Sequence, residues 1–411
     1  MYNLKTMSND QNLSIEQLLD HAYLAAETKN WLQVNYYLQQ LLLRQNQGVC
    51  LEKQFEDKII QLALEVLFYG DFQLRWEVTK IFVGIGTSVI EPLINVLEDE
   101  NNNIEIRWFV CRILAEFKHP QIIVALVKLL QHSEEELALI ATETLAQIGV
   151  EAIESLTSLL NHPEYRLLVV TALAQIRHPE TISALLQVVK DPQPAIRAIA
   201  IEALSSFHDQ RIPPVLIEAL HDTNVTVRKE AVIGLGFRSD LCQELNLVEI
   251  ITPLLYDFNL EVCRYAALSL AKMTSQSDRA VEALNQVLTS EATPTTLKLD
   301  LVKALSWSET LLALIYLERV LLRENQSIQA EIINHLGRIT KPSLKPQAVQ
   351  ILLNFWQANS NQKISNQLKK NLATSLGELR NEQAFVMLKE LAADPEQIVK
   401  LHAIAALKKI A

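Results

Sequence analysis

Glycine is scarce in this chain, with nine residues in 411. Sheet-rich folds with many tight turns, and loops that cradle phosphate, both need positive φ or close backbone approach, so the shortage argues against both. Cysteine is sparser still. Cys50, Cys111, Cys242 and Cys263 stand far apart, with no CxxC pair and no Cys/His cluster. Neither a disulfide framework nor a zinc site is indicated, and a reducing compartment is expected. Basic charge is in deficit, because 37 Lys and Arg against 48 Asp and Glu leave a formal charge of −11. A general phosphate-tracking surface is thereby excluded, and no nucleic-acid partner is expected. No apolar run reaches the length of a membrane span, and "MYNLKTMSNDQNLSIEQLL" lacks the basic start and apolar stretch of an export signal. No integral membrane segment is expected, and the chain reads as cytoplasmic. Met7 opens a polar lead-in, so residues 1–13 read as a flexible lead or an alternative start.

What is abundant is hydrophobic residues, 49% of the chain against 21% charged, which is a globular composition. A chain of 411 residues is too long for one ordinary core. It must split into domains or stack repeats. A repeat is visible: "DPQPAIRAIAIEAL" from Asp191 to Leu204 and "DTNVTVRKEAVIGL" from Asp222 to Leu235 have the same spacing. Aligning their last leucine gives Phe82, Leu114, Leu145, Leu173, Leu204, Leu235, Leu270, Leu305, Leu336, Leu376 and Leu407, at intervals near 31 residues. That period means a solenoid, each unit being two short helices that cannot bury their apolar faces alone. Ile196, Ile199, Ala200, Ala203, Leu204 and Phe207 share one face of the first helix, and Val215, Leu216, Ala219 and Leu220 one face of the second. Longer intervals place insertions at "FRSDLCQELNLVE" and "ITKPSLKPQAVQILLNFWQANSNQ", expected as loops on one rim.

Residues 14–70 precede the array as a helical hairpin and a further helix. Ser14 with Gln17 forms a candidate capping box, and Trp31, Tyr36 and Tyr37 open the second helix. The segment is expected to cap the array or to form a small domain of its own.

Seven positions before the repeat leucine stand Arg75, Arg107, Ala138, Arg166, Arg197, Arg228, Cys263, Lys298, Gln329, Lys369 and Lys400, mostly basic. Six before several of them is an acid: Asp191, Asp222, Asp257 and Asp394. The acid is expected to cap the helix that follows. A cation in the first turn of that helix opposes the dipole, so it must reach an acid in the preceding turn or the next unit, and repetition would make a ladder.

This pattern of base, alanine, leucine and turn, carried best by "VRKEAVIGLG" and "IRAIAIEALSSFHD", resembles the HEAT-repeat family, in particular its short phycobilisome-lyase-like repeats. The turns "AQIRHPE", "AEFKHPQ" and "GRITKPS" depart from the Leu-Gly-Asp continuation usual in that family. The resemblance implies an all-α fold, a right-handed α-α superhelix of about eleven repeats over 71–411 with an N-terminal helical cap. It also implies a cyanobacterial setting at the phycobilisome or photosystem, peripheral to the cytosolic thylakoid face.

No nucleophile, base and orienter appear together. "GIG" at Gly84–Gly86 and "GLG" at Gly234–Gly236 lack the strand before them that dinucleotide binding requires, and read as helix ends. His119 and His178 read as turn residues, and Cys111 as a core thiol. Cys263, beside Arg264, is either a packed thiol or one whose pKa the cation lowers. Trp76 and Trp108 follow the base in two adjacent units, with Lys80 and Arg112 one helical turn on. These four should form a contiguous patch. They suit a tetrapyrrole carboxylate or an aromatic partner segment; alternatively the tryptophans fill the junction with the cap.

Two readings follow. One is a non-catalytic adaptor or assembly factor that needs no cofactor and holds a protein partner, a phycobiliprotein or photosystem assembly component. The other is a bilin lyase or bilin-binding chaperone, in which the attacking thiol belongs to the substrate protein and the solenoid orients the bilin.

Overall fold

The computed structural model describes residues 13–46, 53–132, 134–274, 278–359 and 364–410. The expected lead over 1–13, but for its last residue, lies outside them, as do Met7 and Cys50. The described residues are helical, with no strand among them. The chain divides into two compact units, 1–188 and 189–411.

The first unit runs α1 (Ile15–Glu27), α2 (Trp31–Asn46), α3 (Lys53–Tyr69), α4 (Phe72–Ile85), α5 (Ile90–Glu98), α6 (Ile104–Leu114), α7 (Pro120–His132), α8 (Glu135–Ile148), α9 (Ile153–Leu159), α10 (Arg166–Ile176) and α11 (Thr181–Gln187). The second runs α12 (Pro194–Ser205), α13 (Ile212–Ala219), α14 (Val225–Gly236), α15 (Leu247–Ile251), α16 (Leu260–Ala271), α17 (Asp278–Leu288), α18 (Thr295–Trp307), α19 (Leu311–Leu321), α20 (Gln326–Leu336), α21 (Lys345–Ala358), α22 (Asn366–Leu379), α23 (Phe385–Ala392) and α24 (Gln397–Ile410). Even-numbered helices stack in a row, α2 on α4 on α6 on α8 on α10, and α12 on α14 through α24. A second row forms from α5, α7 and α9, and from α17, α19 and α21. This is the two-layer stacking of a helical solenoid.

The N-terminal hairpin joins the first row through α2. Its start is chemically fixed: Ser14 Oγ accepts from the Gln17 N–H at 3.2 Å while the Ser14 N–H donates to Gln17 Oε1 at 2.9 Å, a complete capping box. Trp31 stacks on Tyr69 of α3 at 5.4 Å between ring centroids, and Tyr69 stays exposed.

The repeat leucines hold the core. From Phe82 to Leu376 the ten are fully buried, and Leu407 in the last helix is half-buried. Close approach between neighbouring even helices depends on small residues. A Cβ on Gly234 would meet Ser205 Oγ of α12 at 2.2 Å, and one on Gly236 would meet Ser269 Oγ of α16 at 2.3 Å. Gly337 faces the Ser375 backbone at 2.6 Å in the same way. Two of nine scarce glycines in "GLG" are thus spent on helix contact, and Gly86, with φ 99°, ends α4.

The expected ladder forms across units at Arg197–Asp222, Arg228–Asp257 and Lys369–Asp394, and the arginines carry a further set of bonds that was not expected. The arginines reach back to backbone carbonyls ahead of their own helix, at the end of the preceding helix for Arg75, Arg107 and Arg166 and in the turn after it for Arg197 and Arg228. Arg75 Nε donates to Leu67 O at 3.0 Å, Arg107 Nε to Leu97 O at 2.9 Å and Arg166 Nε to Leu160 O at 2.8 Å. Arg197 Nη1 donates to Asp191 O and Arg228 Nη1 to Asp222 O, at 2.7 and 2.9 Å. The unfavourable dipole at the base's own helix is therefore outweighed by the negative end of the preceding one. The free edge of the guanidinium then grips the acid of the next unit. Arg197 Nε and Nη2 lie 2.7 Å from the two Asp222 oxygens, and Arg228 Nε and Nη2 lie 2.8 Å from those of Asp257. Lys298 reaches Glu324 at 2.6 Å and Lys369 reaches Asp394 at 2.7 Å.

The acids do not cap the following helix. Asp222 Oδ1 accepts from the Asn224 N–H and Asp257 Oδ1 from the Asn259 N–H, both at 2.8 Å, closing turns just before the helix. Asn224 and Asn259 are the caps themselves, accepting from Thr226 and Glu261 N–H. An acid two residues ahead of the cap is placed to orient the turn and to face the neighbouring arginine. The insertions also differ from the loops expected. The second is a short 3-10 turn followed by the 14-residue helix α21, because its apolar spacing continues through Phe355. The first folds into 3-10 turns around the short α15, where Pro253 interrupts the second helix of its repeat.

Burial pushes the Asp257 carboxyl up, but the Arg228 guanidinium and the Asn259 N–H more than offset it and hold the group below its ordinary value; Asp222 behaves likewise. A depressed carboxylate pKa supplies stability that is present above the unfolded-state value near 4 and is lost as pH falls through the folded one. We expect Arg228→Met to cost about 2–4 kcal/mol at neutral pH, since it leaves Asp257 shielded and unpaired. Urea unfolding at pH 7 and at pH 3 should show the variant's deficit shrinking at the acid end; an equal deficit at both pH values would contradict this account.

Candidate functional site

Outside the frame, the residue that follows the base in α4 and α6 is tryptophan. Asp71 caps α4 through the Leu74 N–H at 2.9 Å and Asn103 caps α6 through the Ile106 N–H at 2.8 Å. These caps fix both helices in matching rotation, so Trp76 and Trp108 fall at equivalent places on adjacent helices. A 3.6-residue period carries Lys80 and Arg112 onto the same faces one turn later.

The structure brings Trp76, Trp108 and Arg112 together. Arg112 Cζ lies 4.6 Å from the Trp76 ring centroid and 5.4 Å from that of Trp108, so one guanidinium serves two rings. Trp108 is also held edge-on against buried Phe109 at 4.9 Å. Trp76 keeps 39% of its surface exposed, so it does not fill the junction with the N-terminal hairpin. That hairpin meets α4 at Glu77, whose carboxylate accepts from Asn35 Nδ2 at 2.8 Å. Arg112 occupies the last turn of α6, where helix carbonyls favour a cation.

Beside the stack is a groove of about 280 Å³ lined by Trp76, Thr79, Lys80, Val83, Arg112 and Glu116, with Ile113 at its base. Lys80 is exposed on its wall. Thr79, Val83 and Glu116 were not singled out by sequence reasoning, although the signal exists: Val83 follows Thr79 by four and Glu116 follows Arg112 by four. The arrangement offers a flat aromatic surface, two cations and one carboxylate. Its one hydroxyl, on Thr79, donates to Trp76 O at 2.7 Å.

The thiols are core residues. Cys111 is buried, burial pushing it up to about 12 despite a hydrogen bond from Thr144 and the charge of Arg107. Cys263 is also buried, and its thiol donates to Asp257 O at 3.1 Å. Burial and the Asp257 carboxylate raise its pKa, which overturns the reading of a cation-activated thiol. Arg264 turns away to Asp300 at 3.2 Å. His119 and His178 are turn residues, their Nδ1 atoms accepting from the Gln121 and Glu180 N–H groups.

Comparison places this geometry among known folds. Residues 90–167 and 153–236 match the family profile described as HEAT repeats. No curated protein matches the sequence. Among solved structures, a mutant of the karyopherin Kap121p aligns with a TM-score of 0.52 at 14% identity, covering 99% of this chain and 54% of that one. Importin beta aligns at 0.52 and 13% identity, covering 96% and 60%. A chain of the full-length AP-3 complex, itself a homology model, aligns at 0.52 and 12%, covering 98% and 83%. The fold is that of a HEAT solenoid, with HEAT repeats over 90–236. The chain spans little more than half of the karyopherin and importin chains.

Thiols held this far from their ionised form resist alkylation. At pH 8 we expect Cys111, Cys242 and Cys263 to react with iodoacetamide at least 100-fold more slowly in the native protein than in urea, read by peptide mapping. Rapid native labelling of Cys263 would restore the activated-thiol reading.

Proposed function

We propose that this chain is a protein-binding adaptor or assembly factor that docks a partner segment on the groove of α4 and α6. The observation that carries the reading is the single guanidinium of Arg112 held between two partly exposed tryptophan rings. Tryptophan and arginine are the residues that dominate interface energies, and rigid aromatic surface is held here at little entropic cost. The groove is small and open, which suits a few side chains of a bound segment better than an enclosed metabolite. Its cations Lys80 and Arg112 stand on a chain of net charge −11, so they select locally for an acidic or carboxylate-bearing segment.

The finer form of the reading is a partner from the phycobilisome or photosystem assembly line at the thylakoid face. It is supported by the short period of the repeats and their resemblance to phycobilisome-lyase-like repeats. A second form is a bilin lyase or bilin chaperone. Propionate groups of a linear tetrapyrrole would pair with Lys80 and Arg112 while its rings lie on Trp76, the attacking thiol coming from the phycobiliprotein.

One experiment separates them. Purified from its native cells, the wild-type chain should retain a protein partner that the Trp76→Ala, Arg112→Ala double variant loses by at least ten-fold, read by quantitative mass spectrometry. An absorbance scan of the same material reads bound pigment, and co-expression with bilin and apo-phycobiliprotein reads covalent adduct. Equal recovery by both variants would remove the groove from the interface; absence of pigment and adduct would remove the bilin reading.

A further inference from the structure

Three residues after each repeat leucine the chain places Ile85, Phe117, Ile148, Ile176, Phe207, Arg238, Met273, Ser308, Ile339, Leu379 and Ile410. The position closes the end of the even helix against the core, and Ile148, Met273 and Ile339 there are buried. One repeat puts arginine in that place. Arg238 is 2% exposed, as buried as Leu379 and more so than Phe117, Ile176 and Phe207, which are half-buried. Its backbone is anchored on both sides, the N–H donating to Leu235 O and the carbonyl accepting from the Leu241 N–H, each at 2.9 Å. Its side-chain Nε and Nη2 are shielded from solvent and have no hydrogen-bond partner among the described residues.

Those two atoms form one edge of the guanidinium. It is the same edge with which Arg197 and Arg228 take the two oxygens of Asp222 and Asp257, at 2.7–2.8 Å. A buried guanidinium without an acceptor is among the more costly arrangements a core can hold. No geometric need of the repeat explains it, since Met and Ile fill the same position elsewhere. The residue before Arg238, Phe237, carries Lys272 Nζ 4.2 Å from its ring centroid. Phe237 itself is 57% exposed.

We propose that Arg238 is the base of an oxyanion site, taking a carboxylate or phosphate through its Nε–Nη2 edge. Because the edge is shielded, binding is coupled to local opening at the insertion that follows α14. The two oxygens of the ligand replace the missing acceptors, as Asp222 and Asp257 supply them to the frame arginines. The site lies wholly within the second unit and does not depend on the α4 and α6 groove.

The test uses the full chain with inorganic phosphate, acetate and, at matched ionic strength, chloride. Urea midpoints and the Arg Nε–H resonances of ¹⁵N-labelled protein are followed against anion concentration. We expect phosphate, acetate or both to raise the wild-type midpoint above chloride and to shift one Nε–H signal, assigned as the one missing from Arg238→Met. In that variant the anion-specific rise should vanish, and Arg238→Lys, which keeps the charge and loses the paired edge, should bind at least ten-fold more weakly. A response to phosphate alone identifies a phosphate-bearing ligand, and one to acetate identifies a carboxylate. No anion-specific shift in the wild type, or an equal shift in Arg238→Met, overturns the proposal; if the Met variant does not fold, the wild-type Nε–H titration and the Lys variant decide it.

Discussion

The contact on which the array depends is a side-chain donor in the first turn of one helix meeting the last carbonyls of the helix before it. Helices of five to seventeen residues leave many carbonyl groups unsatisfied for their length, and a solenoid multiplies that problem at every turn. Arg75, Arg107, Arg166, Arg197 and Arg228 each answer it with a guanidinium. Where the cation is absent the same task falls to a neutral group: the Cys263 thiol to Asp257 O, and Gln329 Nε2 to Leu321 O at 3.2 Å. Satisfying a backbone carbonyl ahead of the helix is thus the duty of the position in seven units, while Lys298 and Lys369 reach an acid instead and Ala138 does neither. Gripping the next acid is an addition made where the donor is long and charged.

That contact sets the turn, and the turn sets how closely helices can lie. With the end of each second helix pinned to the start of the next even helix, the even helices stack at a separation that leaves no room for a β-carbon at some crossings. Gly234, Gly236 and Gly337 meet Ser205, Ser269 and Ser375 there. Ser269 Oγ donates to Val232 O and Ser375 Oγ to Ile333 O, at 3.0 and 2.8 Å, so the serine that needs the space also ties the two helices by a hydrogen bond. A larger pair would lose both the fit and the bond.

Periodicity carried the repeat frame well: the ten leading repeat positions, read from spacing alone, are fully buried, and the Ser14–Gln17 box forms as the residues imply. The Trp76–Arg112–Trp108 stack was legible for the same reason, since equivalent register on adjacent helices fixes which side chains meet. Tertiary detail was less so. The reach of Arg197 to the acid of the next unit was expected; that Asp222 would leave the cap to Asn224 depends on distances between units, which a single repeat does not contain. The second insertion was expected as a loop because of its long interval, and it carries two prolines, Pro342 and Pro346. Both sit in the first turn of their segments, where proline is compatible with helix. Arg238 was visible as an outlier only once every unit was compared three residues beyond its leucine.

The frame follows a rule about charge. Three units lack the base, at Ala138, Cys263 and Gln329, and the place where each following unit would carry its acid holds Leu160, Ala292 and Lys363. No base is missing opposite an acid, which fits the cost of leaving a shielded carboxylate alone, whereas Arg75, Arg107 and Lys298 keep the base where the following unit holds Asn101, His132 and Arg323. Seen beside this economy, Arg238 is an opposite kind of departure: a charge added to a core position with no acceptor added for it. Met273 and Ile339 fill the equivalent position with apolar side chains, so the frame itself asks for no cation there. The missing partner is then most simply a group that the chain does not itself contain.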